Sequence, residues 1–144
     1  RLSESLSLYA KHLGWLHSRP KVHDKDELKL SRHESLPESD PLLSLPECDQ
    51  FIASCWHDLG LTSSEGMGES PVKWTEVKSY TDLMQLELSP FEAESIVNMS
   101  KAYIRFKHEA TEHRGVQSPY MPEITKEDQI KRVEHFERKI KPSK

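Results

Sequence analysis

The chain has 144 residues, 35% hydrophobic and 31% charged, a balance that suits one domain with a modest core and one long segment outside it. Its formal net charge of -4 excludes a bulk attraction to phosphates or to anionic lipid. No run of about 18 apolar residues occurs, so no membrane-spanning helix is expected.

Leu2, Leu6, Tyr9, Ala10, Leu13 and Leu16 recur at helical spacing and predict an amphipathic first helix that stops near Arg19-Pro20. From Lys21 to Leu45 the apolar period disappears among charges and prolines, which predicts a flexible linker. The alternative is an ordered strap anchored by Leu42, Leu43 and Leu45. A second helix is expected from Pro46 to Leu59, with Phe51, Ile52, Cys55, Trp56 and Leu59 as its stripe and Gly60 as its stop. Thr62 to Ser70 reads as a flexible loop.

The third helix starts near Trp74 and uses Val77, Tyr80, Leu83 and Met84. Ser89-Pro90-Phe91-Glu92 marks the start of the fourth: Ser89 caps, Pro90 fits the first position, and Glu92 reaches back to the cap amide. Leu88 and Ala93 occupy the flanking positions of a hydrophobic staple. This helix runs to about His113 through Phe91, Ile96, Met99, Tyr103, Phe106 and Ala110, and Gly115 is expected as a left-handed C-terminal cap. After a proline-bearing connection, Thr125 with Asp128 opens a fifth helix carrying Ile130, Val133, Phe136 or Glu137, and Ile140. The fold class is therefore all-α, a small bundle of about five helices with a long linker after the first. Its parts are an N-terminal helix or arm over 1–19, a linker over 20–45, a helical core over 46–115 and a C-terminal helix and tail over 116–144.

No residue pattern supports catalysis, a cofactor or a metal. His108 and His113 flank two glutamates, but five apart they lie about 140° from each other around a helix and cannot share one zinc. Cys48, Cys55 and His57 lack a paired C-x-x-C, and His12, His17 and His23 share no face. Nucleophile elbows and phosphate-cradling glycine loops are both missing from the sequence. The two cysteines, seven apart on one predicted helix and so about 10 Å distant, read as buried thiols in a reducing compartment. Met84 to Leu88 has the shape of a helix-turn-helix turn, yet Glu92 and Glu94 would meet DNA with like charge.

Of the tryptophans, Trp56 and Trp74 are expected in the core. Trp15 leaves the main face of the first helix and, with Leu6, Tyr9 and Leu13, is the expected partner-binding set. Lys131, Arg132, Arg138, Lys139, Lys141 and Lys144 make the last helix basic, diluted by Glu127, Asp128, Glu134 and Glu137. The chain opens on Arg1, which suits a fragment or the downstream part of a longer product.

Three short runs carry a resemblance: Trp74-Thr75-Glu76-Val77-Lys78-Ser79-Tyr80, Leu88-Ser89-Pro90-Phe91-Glu92-Ala93 and Met99-Ser100-Lys101-Ala102-Tyr103. Together with Leu45-Pro46 entering the Trp56 helix, they resemble the tail assembly chaperones of long-tailed bacteriophages over residues 45 to 110. Lys73 departs from the Ser or Thr cap of that pattern. The resemblance implies a non-enzymatic, cofactor-free factor in the host bacterial cytoplasm. It would bind the tape-measure protein and help recruit tail-tube subunits without staying in the virion. The competing classes are a helix-turn-helix-like regulator, a virion tail or connector component, and an inhibitor of a host defence protein.

Overall fold

Apolar side chains three and four residues apart fix the principal contact of the molecule, between α1 (Leu2–His17) and α5 (Pro90–Glu112). The computed structural model describes residues 2–23, 26–27, 30–122 and 126–140. Between the two long helices come a ribbon of β1 (Lys21–His23) and β2 (Asp26–Glu27), the short α2 (Arg32–Ser35), α3 (Gln50–Asp58), a second ribbon of β3 (Ser63–Glu65) and β4 (Gly68–Ser70), and α4 (Trp74–Met84). α6 (Lys126–Ile140) follows α5. The fold is mostly helical, as the sequence predicts, and both ribbons are two-stranded and antiparallel. The second ribbon lies in the span expected as a flexible loop, where Gly66 takes the positive φ of 64° that its turn requires.

α1 crosses α5 at Gly14. A Cβ there would stand 2.6 Å from the Tyr103 carbonyl oxygen and 3.2 Å from the Lys107 amide, so only hydrogen lets the backbones approach so closely. Leu6, Tyr9, Ala10 and Leu13 of α1 join Ile52, Cys55 and Trp56 of α3, Val77 of α4, and Ile96, Met99 and Tyr103 of α5 in one core. Trp56, Leu6, Ile52 and Ile96 are fully buried, each stabilising the fold by about 1.5–3 kcal/mol. Phe51, Leu83 and Met84, expected on the inner stripes of their helices, are exposed. Leu83 lies about 180° round α4 from Trp74, and Phe51 precedes Ile52 on the outer side of α3.

The ends of the helices follow local chemistry. Asp49 caps α3 by accepting from Ile52 N–H at 3.1 Å, so Pro46 and Cys48 precede the helix instead of opening it. Gly60 at φ 85° and Leu61 at φ 73° turn the chain after α3. The strained Leu61 conformation is tied down at its carbonyl, which accepts from Trp56 Nε1–H at 2.9 Å and Ser100 Oγ–H at 2.7 Å. Ser100 Oγ in turn accepts from the buried Val72 N–H at 2.9 Å. Ser89 and Glu92 form the expected capping box, with bonds of 3.1 Å and 2.9 Å. α4 ends on Gln85 in the left-handed region, at φ 55°. α5 ends on His113 in an extended conformation, and Gly115 is not among the residues at positive φ, which corrects its expected role as a left-handed cap. The Thr125 cap expected for the last helix lies outside the described residues.

The described part of the expected linker is an ordered strap from Ser31 onward. Ser31 and Glu34 form a capping box for α2, and Asp40 caps the single 3-10 turn Pro41–Leu43. The buried Arg32 donates to Ser18 Oγ, to the Ala110 carbonyl at 2.7 Å and to the Arg114 carbonyl at 2.9 Å, tying α1, the strap and the end of α5 together. Leu42 is buried beside Trp15, Leu16 and Ala110, with Leu43 packed against them and Leu45 exposed. Buried polar bonds of this kind make the strap part of the fold, although its sequence has no apolar period. α6 joins it through Arg132, whose Nε–H meets the buried Asp40 carboxylate at 3.2 Å, and through His135 Nε2–H, 3.2 Å from the Ser35 carbonyl.

Candidate functional site

The four residues expected to contact a partner are all buried. Leu6, Tyr9 and Leu13 sit in the main core, and the Tyr9 hydroxyl lies 2.7 Å from His57 Nε2. Trp15 packs in the second cluster, stacks on His12, and donates its indole N–H to the Val116 carbonyl at 2.9 Å. They hold α1 in place and leave no face of their own to solvent. Trp74, expected in the core, has the opposite fate: it is 56% exposed at the first position of α4.

Trp74 borders a groove of about 490 Å³ between α4 and the turn into α5. Positions 74, 77, 78 and 81 fall on one side of α4, and Leu86, Leu88 and Ala93 close the groove from the turn and the start of α5. Val77 is buried, Leu86 and Leu88 are half-buried, and Lys78 and Glu87 put one charge of each sign at the rim. Ala93 explains the open space. At the staple position opposite Leu88 it is too short to fill the gap that a larger residue would occupy. Exposed Met84 and Phe91 stand at the two ends of the same turn. The sequence signals for this site are Trp74 at a helix start and the short Ala93 at the staple position, and local spacing names both residues but not the surface they share.

The groove's supports are local. Glu76 Oε1 accepts from Lys73 N–H at 2.9 Å, which is half a capping box, while the Lys73 side chain has no acceptor with which to complete it. At the other end Leu86 N–H reaches the Thr81 carbonyl at 2.9 Å, the wrapped termination that the left-handed Gln85 permits. Trp74 and Leu86 are thus fixed at opposite ends of one short helix.

The titratable groups elsewhere in the core are occupied in holding the fold. His12 donates from Nε2 to the Leu42 carbonyl at 2.7 Å, with Ser118 Oγ 3.0 Å from Nδ1, and burial pushes its pKa below the ordinary histidine value. His17 is pushed down by burial and then by the Lys107 charge, and its Nδ1 lies 2.6 Å from the Tyr103 hydroxyl. Burial raises the Tyr103 phenol well above its usual range. Among the described residues no group of three or more His, Cys, Asp or Glu side chains could hold a metal ion, and no helix is long and apolar enough to cross a membrane. Cys55 is buried as expected and Cys48 half-buried; burial raises both thiols. The α4–α5 hairpin opens its second helix with Glu92 and Glu94, the wrong charge for DNA.

The described residues thus combine a mostly helical fold with a groove bordered by the exposed Trp74. Residues 33–105 match the family model described as phage tail assembly chaperone, half of the chain, and the protein belongs to that family. The matched span runs from α2 to within α5 and includes every residue of the Trp74 groove. No curated protein and no solved structure matches the chain.

Proposed function

We propose that this tail assembly chaperone binds the tape-measure protein and helps recruit tail-tube subunits in the host bacterial cytoplasm. Family membership supports the assembly role, and the exposed Trp74 groove is the observation that carries a binding mode. A long helical client exposes apolar stripes before assembly, and an amphipathic helix can lay such a stripe across Trp74, Leu86 and Leu88. Glu87 at the rim, and Lys78 on exchanging its Asp82 partner, then pair with its flanking charges. Leu6, Tyr9, Leu13 and Trp15 enter the contact only if α1 parts from α5. No step of this role uses a catalytic group.

The test is co-purification of the tagged chain with the tape-measure protein from the same phage, comparing Trp74→Ala with Trp15→Ala. Removing an anchoring Trp costs about 2 kcal/mol or more, about a thirtyfold loss of affinity. Loss with Trp74→Ala in a folded variant supports the groove. Undiminished recovery with Trp74→Ala removes the groove, and no recovery with the wild type removes the tape-measure reading.

A further inference from the structure

A second groove, of about 470 Å³, lies between α1 and α5 and shares no residue with the Trp74 groove. Lys11 reaches it from α1, and Lys101 and Arg105 from α5. All three are exposed, and none forms an ion pair among the described residues. Lys101 and Arg105 are four apart on one helix, so their stems stand about 6 Å from each other. In a chain whose net charge is -4, three cations stand around a concavity that only the Glu109 carboxylate offsets, so the groove is net positive and favours an anion. Ser7 and Asn98 add neutral polar groups to the wall, and Phe106 is half-buried beside them.

We infer that this groove is a docking surface for an acidic helical segment of a partner protein. Two carboxylates one turn apart match the Lys101–Arg105 spacing, a third carboxylate meets Lys11, and an apolar side chain between them rests on Phe106. Glu109 lines the same groove beyond Arg105 and repels any carboxylate that runs past it, which sets the register and length of the segment. It also disfavours nucleic acid. On α5 the basic pair Lys101–Arg105 spans only about 6 Å of helix, with Glu94 before it and Glu109 after it, so a continuous polyanion meets like charge on both sides. The surface stands independently of the Trp74 groove and of which tail protein uses that groove.

The experiment is fluorescence anisotropy of the full chain with a fluorescein-labelled helical peptide of about 18 residues. It carries Glu pairs four apart beside one Leu row, and a control peptide has Lys in place of Glu. Expected are binding of the acidic peptide only, weakening as NaCl rises from about 50 to about 300 mM, and about tenfold loss in the K101E/R105E double variant whether or not Trp74 is present. Both positions are exposed, and far-UV circular dichroism confirms folding of the variant. Absence of acidic-peptide binding, equal binding by the double variant, or tighter binding of a single-stranded oligonucleotide overturns the inference.

Discussion

The Arg32 guanidinium lies over the Trp15 indole, 5.2 Å from the ring centroid, and closes the end of α5. Four interactions converge on one buried cation: the ring face, the Ser18 hydroxyl and two carbonyls at a helix C-terminus, where positive charge is favoured. Arg32→Ala leaves the carbonyls of Ala110 and Arg114 without this donor, and about 2–4 kcal/mol of stability is lost. Arg32→Lys retains the charge but not the fork, and falls between the wild type and the alanine variant. Urea unfolding measures both. A wild-type midpoint in Arg32→Ala would refute the clamp.

Gly14 gives a prediction of opposite sign to its helix propensity. In an isolated helix Gly→Ala stabilises by about 1 kcal/mol. Here the added methyl meets the Tyr103 carbonyl and Lys107 amide of α5, backbone atoms that cannot swing aside. Gly14→Ala is therefore expected to destabilise by about 1–3 kcal/mol by forcing α1 off α5. Thermal unfolding decides between the two signs.

What the sequence made legible was local. The Ser89 box, the Gly60 stop, the buried Trp56 and the length of α5 each rest on residues within a few positions of one another. The strap is legible only as the alternative to a linker, through Leu42 and Leu43, because Arg32 finds its partners 14, 78 and 82 residues away and no period announces them. Trp15 and Trp74 exchanged places for the same reason. Helical spacing puts a ring on a stripe, but burial depends on what arrives to cover it. Trp15 is covered by the strap and by a carbonyl 101 residues downstream, while the undersized Ala93 leaves Trp74 beside open space. Of the candidate site, the sequence therefore showed the members and not their common surface.

Lys73 stands at the N-cap of α4 without a side-chain acceptor, and it offers a stabilising change. Glu76 already supplies the returning half of a capping box to the Lys73 amide. Lys73→Ser adds the missing acceptor for the first turn of α4, worth about 0.5–1 kcal/mol. Lys73 is exposed, so nothing buried is disturbed. The urea midpoint should rise, and adding Glu76→Ala should remove most of the gain. Two independent effects that simply sum would show that no box had formed.

The buried histidines predict how the fold responds to acid. Burial lowers the pKa of His12 and His17 from the ordinary 6.5, so the folded chain binds fewer protons than the unfolded chain once pH falls into that range. Stability from both groups is therefore fully present above pH 6.5 and is lost as pH falls from 6.5 toward the lower folded values. Carboxylates such as Glu34 and Glu112, held below their usual 4.5 by hydrogen bonds from Ser31 and Lys21, add their own loss only in more acidic solution. Urea midpoints from about pH 7.5 down to about pH 5.5 separate the two ranges. His12→Gln should start lower, because it disturbs the bond to the Leu42 carbonyl. Its stability should nevertheless fall less steeply over that interval, since one of the two proton-binding groups is gone. An unchanged slope would mean that His12 is not neutral in the fold.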